Sequence, residues 1–231
     1  MNVERFKSAL SVHCQRDLNH AITLFEAYLN TLVRVNQTMN LTAITEPDEI
    51  YEKHFLDCAK IEAFIPKGAS VADVGSGAGF PGLVLAIVRP DVHVTLIEPT
   101  GKRCAFLEST AQSLGLTNTI VLNARAEELP GYRERFDVVT ARAVANLSIL
   151  MELCIPLLAL NGRFIAMKGS KGLDELEEAE NASKKLHLTL ISAQPIELPT
   201  AGSRVNLVFE KKAITDLKYP RPYGQIKKKP L

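Results

Sequence analysis

Val71-Ala72-Asp73-Val74-Gly75-Ser76-Gly77-Ala78-Gly79-Phe80-Pro81-Gly82 begins as a short apolar strand, carries an acid near its end, and turns through four glycines within eight residues. The apolar segment Leu83 to Val88 follows directly and reads as a helix. Glycine admits positive φ and lets a ligand approach main-chain N–H groups. The helix that follows aims unpaired donors and the positive end of its dipole at the same place. A strand, a glycine turn and a helix in that order predict a crevice for a nucleoside-like ligand.

Gly77 to Gly82 satisfies G-x-G-x-x-G, and Glu98 follows at roughly the 20-residue distance of a ribose-binding acid in dinucleotide enzymes. That pattern alone does not choose a cofactor. The additional Gly75 directly after Asp73-Val74 makes D-x-G-x-G-x-G, the pattern of methyltransferases that use S-adenosylmethionine. This ligand has no pyrophosphate, so its amino acid end is expected at the loop and its ribose at the acid after the second strand.

The chain has 231 residues, enough for one large domain or one domain with an appendage. Its 46% hydrophobic and 23% charged residues are ordinary for a soluble globular protein. No apolar run approaches the ~20 residues of a membrane span, and the N-terminus lacks a signal-peptide core, so a cytoplasmic protein with no membrane contact is expected. Cys14, Cys58, Cys104 and Cys154 are scattered, with neither C-x-x-C spacing nor clustered histidines, so we expect reduced thiols and no metal. The net charge of +1 conceals an acidic block from Leu173 to Glu180 and a basic tail from Lys211, which holds Lys211, Lys212, Lys218, Arg221, Lys227, Lys228 and Lys229 against Asp216.

Residues 1–65 read as helical. Leu18, Ile22, Phe25, Leu29 and Leu32 recur at helical spacing, and the polar stretch Asn36 to Asn40 reads as a turn. A second helix is predicted from Thr45-Glu46-Pro47-Asp48, with Thr45 as its cap, to about Phe64. His54 and Asp57 lie within one turn of it and are read as a structural pair. From Ser70 the period changes. Strands are predicted at Ser70 to Val74, His93 to Glu98, Thr119 to Leu122, Phe136 to Ala141, Arg163 to Met167, His187 to Ser192 and Val205 to Phe209. Helices at Leu83 to Val88, Gly101 to Leu114, Leu147 to Leu158 and Leu173 to Leu186 alternate with them, which implies parallel strands and right-handed crossovers. Between the last two strands only the loop Pro195 to Gly202 remains, so that pair is expected to be antiparallel.

In such a sheet the ligand lies beyond the carboxyl ends of the strands, where strand order reverses. The candidate cofactor contacts are therefore Gly75, Gly77 and Phe80 after the first strand and Glu98 after the second. Ala126 with Glu127 follows the third and Arg142 the fourth. Glu98, an acceptor-only carboxylate, suits two ribose hydroxyls. Ala126 and Glu127 suit an adenine and its amine, while Arg142 suits a carboxylate or a phosphate. Lys168 adds a second cation to the rim.

With these residues the chain resembles the bacterial 16S ribosomal RNA guanine-N7 methyltransferase G family, also called glucose-inhibited division protein B. The resemblance spans nearly the whole length. It is carried by Asn40-Leu41-Thr42-Ala43-Ile44, His54-Phe55-Leu56-Asp57, the glycine stretch with Phe80-Pro81-Gly82, Lys102-Arg103, Arg125-Ala126-Glu127, Arg142-Ala143, Lys168-Gly169, Tyr219-Pro220-Arg221 and Lys229-Pro230-Leu231. The family usually has Trp-Asn-Lys where this chain has Val35-Asn36-Gln37. The resemblance implies an α/β, Rossmann-like class I S-adenosylmethionine methyltransferase with a seven-stranded, mostly parallel sheet. Residues 1–65 would form an N-terminal helical extension and 66–231 the methyltransferase domain with its basic tail. It implies Gly75, Phe80, Ala126, Glu127 and Arg142 as cofactor contacts and N7 of guanine 527 in 16S ribosomal RNA as the target, with the RNA or the small ribosomal subunit as partner. Guanine N7 carries a lone pair and no proton, so no catalytic base is named. Lys168, Arg204, Arg221 and the terminal lysines are the expected RNA contacts. A monomer is favoured. Two other readings compete: an NAD(P)-dependent Rossmann oxidoreductase, for which no Tyr-x-x-x-Lys pair is visible, and a non-catalytic RNA-binding scaffold.

Overall fold

The computed structural model describes residues 1–198 and 202–231. Seven strands form one sheet: β1 (Ser70–Val74), β2 (His93–Ile97), β3 (Thr119–Leu122), β4 (Phe136–Arg142), β5 (Leu158–Lys168), β6 (Leu188–Leu198) and β7 (Gly202–Lys211). Their order is β3-β2-β1-β4-β5-β7-β6, so strand order reverses between β1 and β4. Five strands run parallel, and β7 enters antiparallel to both β5 and β6. The expected antiparallel end is therefore present. Strand pairing continues through Leu198, however, so most of the predicted loop is strand, and 199–201 fall outside the described residues.

Successive residues of a strand face opposite sides of the sheet. Val71, Val94, Leu96, Val138, Ile165 and Val208 join one buried cluster, while Ala72, Val74, Val139, Ala141, Phe164 and Leu207 join another. Apolar residues on both faces explain why the strands read as near-continuous hydrophobic runs. The second face is covered by α-helices Leu147–Cys154, Gly172–Glu178 and Glu180–Lys185 and by the terminal helix Tyr223–Lys228. The segment predicted as one helix over Leu173 to Leu186 is thus two, and Leu158 is the first residue of β5 rather than the end of a helix.

The first face carries helices Gly82–Val88 and Gly101–Ser113 together with the N-terminal helices. The N-terminal helices are α1 (Val3–Leu10) and α2 (Leu18–Met39). Asp17 caps α2 by accepting the His20 N–H, and Asn40 ends it in the left-handed conformation at φ 49°. The predicted polar turn is therefore mostly the last turn of that helix. The next helical segment starts at Pro47 with Glu46, not Thr45, preceding it, and no side chain caps it. Pro47 at the first helical position lacks one of the N–H groups that a helix start leaves unpaired, which suits it to that place. It is also not uniform. An α turn (Pro47–Ile50) leads into a π-helical stretch (Tyr51–Leu56), a further α turn (Asp57–Ala59) and a 3₁₀ turn (Lys60–Phe64). Phe6, Phe25, Tyr28, Tyr51, Phe55 and Phe80 pack ring against ring, with centroids 4.9 to 6.2 Å apart. The N-terminal helices thus share one core with the glycine turn through Phe80. Among the described residues no helix is long and apolar enough to cross a membrane.

Candidate cofactor crevice and substrate pocket

The glycine turn is held from three sides. Gly75 and Ser76 donate their N–H groups to Ile97 O at 2.8 and 3.2 Å, and Gly77 donates to Glu98 Oε2 at 3.0 Å. The Tyr28 hydroxyl, from the N-terminal helices, donates to Ala78 O. Gly82 donates to Asp73 Oδ2 at 3.0 Å, so the acid of the motif is a buried bracket under the turn rather than a ligand contact. Burial raises the Asp73 carboxyl to about 7 against the opposing pull of its hydrogen bonds from Gly82, Ser76 and Thr140. Two glycines are dictated by space, the first by its backbone as well. Gly75 has φ +73°, and a Cβ there would lie 2.6 Å from Val144. A Cβ on Gly82 would meet Leu96 at 2.2 Å and Asp73 Oδ2 at 2.7 Å.

Beyond the carboxyl ends of β1 and β2 lies a cavity of about 300 Å³ whose lining includes Gly75, Ile97, Glu98, Ala126, Glu127 and Tyr223. Glu98 is 2% exposed and accepts the Gly77 N–H on one oxygen and the Thr100 N–H, at 2.9 Å, on the other. It joins the first βα turn to the second. The Glu127 carboxylate, expected to meet a ligand amine, accepts from Arg125 Nε at 2.6 Å while still lining the cavity. Arg125 in turn lies 4.6 Å over the ring of Tyr223. The C-terminal helix therefore supplies a wall that strand-and-helix reasoning does not predict.

A second cavity, about 280 Å³, opens on the other side of the glycine turn, where its lining includes Thr42, His54, Ser76, Gly77, Phe80 and Arg142. His54, read from the sequence as half of a structural pair, lies here. Its ring stacks on Phe80 with centroids 4.4 Å apart. Arg142 Nη2 donates to Lys53 O at 2.7 Å and approaches His54 Nδ1 at 3.1 Å, while Nη1 donates to Cys58 Sγ at 3.0 Å. His54 Nδ1 also lies 3.2 Å from Lys53 O, and Nε2 lies 2.8 Å from Thr42 Oγ1. Burial, and then the Arg142 charge, push His54 down to about 3, so the imidazole is neutral. Asp57 stands 3.5 Å from Arg142, and burial raises its carboxyl against the guanidinium's pull.

The third and largest cavity, about 460 Å³, adjoins both. Asp57, Arg142, Lys168, Glu175, Arg204 and Asn206 are among its walls. Ala143 lines all three cavities and Val144 lines two, so the loop after β4 is their common partition. Lys168 is not a free rim cation: its ammonium donates to Ala145 O at 2.7 Å and pairs with Glu175 at 2.6 Å, pinning this partition. Arg204 forms no ion pair or hydrogen bond among the described residues and contributes its charge to the cavity. Arg221 departs from expectation. Its backbone N–H, Nε and Nη2 all converge on the fully buried Glu152, at 3.0, 2.7 and 2.6 Å, which makes it a clamp for the tail. Lys211 is likewise buried, on Glu134, Ile155 O and Leu158 O. The tail's charge is partly structural.

The residues present fit S-adenosylmethionine. An acceptor-only carboxylate stands in the first cavity between apolar walls, where a ribose and a purine would lie, and a glycine backbone with a guanidinium lines the second, where an amino acid end would lie. Among the described residues no cluster of three or more His, Cys, Asp or Glu side chains could hold a metal ion.

Residues 21–199 match the family model of rRNA small subunit methyltransferase G. The ribosomal RNA small subunit methyltransferase G of Mycoplasma capricolum is 45% identical over 202 residues, 87% of each chain. That of Lactobacillus delbrueckii subsp. bulgaricus is 41% identical over 239 aligned positions, spanning 100% of both. Among solved structures, a SAM-dependent O-methyltransferase from Thermotoga maritima superposes with a TM-score of 0.56 at 17% identity, covering 80% of this chain and 72% of that one, a likeness of fold.

Proposed function

The chain belongs to the rRNA small subunit methyltransferase G family, and on that premise we infer which nucleotide it modifies and how its three cavities divide the work. It is an S-adenosylmethionine-dependent methyltransferase acting on guanine N7 of 16S ribosomal RNA, and the nucleotide we assign is 527. The observation that supports the division is the partition at Ala143-Val144, which separates two nucleoside- and amino-acid-sized cavities from a larger cationic one at the point where strand order reverses. The oxidoreductase reading loses ground on the antiparallel β7, on the family match and on the third cavity's cations.

In this reading Glu98 receives the ribose hydroxyls, Ala126 and Glu127 border the adenine, and Gly75, Gly77 and Phe80 shape the space for the methionyl end. Arg142 has donors left over from its bonds to Lys53, His54 and Cys58 with which to meet a carboxylate. The bound cofactor supplies an electrophilic methyl group on a sulfonium. The protein aligns the purine nitrogen with that carbon, and alignment alone is worth up to ~7–11 kcal/mol. No side chain has to remove a proton from N7, and the neutral His54 serves as a stacking wall rather than a base. Lys168 and Arg204 face incoming RNA, Lys168 through the partition it pins and Arg204 directly, whereas Arg221 acts on the tail. Residues 1–65 act as an extension that completes the pocket on one side, with 66–231 as the transferase proper.

The test is to incubate the protein with S-adenosylmethionine labelled in the methyl group and small ribosomal subunits lacking the modification, then locate the label by chain cleavage at N7-methylguanine. Label at guanine 527 is expected. Label at another base, or none, overturns the reading.

A further inference from the structure

The largest cavity has two buried polar atoms that nothing in the fold explains. Asp57 and Asn206 are each 2% exposed and both line it, and among the described residues neither Asp57 Oδ1 nor Asn206 Nδ2 meets a hydrogen-bond partner. Buried polar atoms are almost always paired, so two orphans on residues that line one cavity point to a ligand that completes them. They approach from different elements. Asp57 opens the α turn that follows the π-helical stretch, and Asn206 sits in β7 opposite Met167 of β5. One orphan is an acceptor and the other a donor.

We propose that Asp57 and Asn206 read the target base as guanine, Asp57 accepting from its N1–H and N2 amine and Asn206 donating to O6. The inference rests on the functional reading above and extends it from the reaction to base choice. Guanine presents an acceptor at O6 beside donors at N1 and N2. Adenine presents the reverse, a donor amine at N6 beside an unprotonated N1, and so meets donor against donor at Asn206 and acceptor against acceptor at Asp57. A site whose buried groups are left unpaired by the wrong ligand discriminates far more strongly than one that merely excludes it by size. N7 lies on the edge next to O6, so a purine held by these contacts keeps its nucleophilic nitrogen free for the partition side. Arg204 lies two residues before Asn206 in the same strand and so on the same face of the sheet. It lines the same cavity, where it is placed to hold a phosphate of the splayed nucleotide. Burial raises the Asp57 carboxyl, and the Arg142 guanidinium 3.5 Å away opposes that rise and is the neighbour that favours the carboxylate form that accepting from guanine requires.

The test compares methyl transfer, at saturating S-adenosylmethionine, to small subunits reconstituted with RNA carrying guanine or inosine at the modified position. Inosine keeps O6, N1–H and N7 and lacks only the N2 amine. For the wild-type chain kcat/KM is expected to fall about 10- to 150-fold on going to inosine, the worth of one hydrogen bond to a charged group. For Asp57→Asn the guanine-to-inosine ratio is expected to collapse towards one. The intrinsic difference in N7 reactivity cancels when the two ratios are compared. The double variant D57N/N206D, which exchanges the acid and the amide at constant charge, is expected to narrow the guanine-to-adenine preference at least 100-fold. A wild-type ratio near one, or a D57N ratio equal to that of the wild type, overturns the proposal. If D57N does not fold, Asn206→Leu carries the test, with wild-type kcat/KM on guanine refuting it and a loss of tenfold or more at unchanged cofactor affinity supporting it. Failure of the wild type to label guanine at all would instead sink the functional reading, which keeps the two apart.

Discussion

In the proposed reading Glu98 is the side chain on which cofactor affinity and loop order both depend, and Glu98→Ala separates them by size. In the folded chain its oxygens accept the Gly77 N–H at 3.0 Å and the Thr100 N–H at 2.9 Å. A hydrogen bond to a charged group is worth about 1.5–3 kcal/mol. These two donors border an open cavity, however, and water can replace the carboxylate there. The stability loss is therefore expected to be about 1–2 kcal/mol, well under the total that two such bonds would give. The ribose hydroxyls have no such substitute once the cofactor fills the cavity. Losing two charge-assisted bonds at about 1.5 kcal/mol each weakens binding by about 3 kcal/mol, or more than 100-fold. Titration calorimetry with S-adenosylmethionine reads the affinity, thermal unfolding reads the stability, and sedimentation with small subunits at fixed salt reads RNA binding. RNA binding is expected to stay nearly unchanged. An E98A protein with cofactor affinity within threefold of wild type, or one that loses subunit binding instead, would refute the assignment of Glu98 to the ribose.

Asp73→Asn copies the protonated form of a carboxyl that burial raises to about 7, while an unfolded Asp titrates near 3.9. Between those values the folded state holds a proton that the unfolded state has lost, so this group's contribution falls as pH rises from about 4 to about 7. The variant is therefore expected to gain on the wild type across that window in denaturant titrations, and a pH-independent difference would refute the linkage. Arg221→Ala strips the partner from the fully buried Glu152 and is expected to cost about 3–5 kcal/mol in unfolding experiments. Wild-type stability would show that the clamp is idle. Arg204→Ala is expected to leave unfolding unchanged while lowering the slope of log affinity against log salt for small subunits by about one, as removal of one phosphate contact does. An unchanged slope would remove Arg204 from the RNA surface.

The strands were the most legible part of the chain. Ser70–Val74 and Thr119–Leu122 coincide with their apolar, β-branched runs, the first because a strand covered on both faces has little freedom to be anything else and the second, an edge strand with Ile120 exposed, because its β-branched residues favour extended backbone. Strand ends were less legible. β6 and β7 extend several residues beyond their hydrophobic centres, since a two-stranded antiparallel arm is sustained by ladder hydrogen bonds that any residue can make. In the site, the residues after β1, β2, β3 and β4 could be named because topology alone brings strand ends together. What escaped the sequence were contacts made across chain distance. His54 and Asp57 look like an isolated pair on one helix until Phe80 and Arg142 arrive from the sheet, and Arg221 looks like a free cation until Glu152 is buried beneath it. Local pattern carries no record of such partners.

The same point explains why, in the proposed reading, the N-terminal helices shape the pocket as well as cover the sheet. An α-helix of regular pitch running from Pro47 through Phe64 would distribute Tyr51, His54, Phe55, Asp57 and Cys58 differently around its axis. The π-helical stretch Tyr51–Leu56 re-phases them at the point where they meet the crevice. Phe55 then enters the aromatic core, His54 stacks on Phe80, Cys58 accepts from Arg142, and Asp57 reaches the largest cavity. Tyr28 of the preceding helix reaches over to the glycine turn at Ala78. A turn built from glycine gives its backbone to the ligand at the cost of rigidity, because glycine orders at a larger loss of conformational freedom than any other residue. The order must come from outside the turn. In this chain it comes from Ile97 O and the Glu98 carboxylate on the sheet side and from a hydroxyl, a stacked imidazole and a guanidinium anchored on the extension, so in the proposed reading the segment that covers one face of the sheet also helps to set the geometry in which cofactor and purine meet.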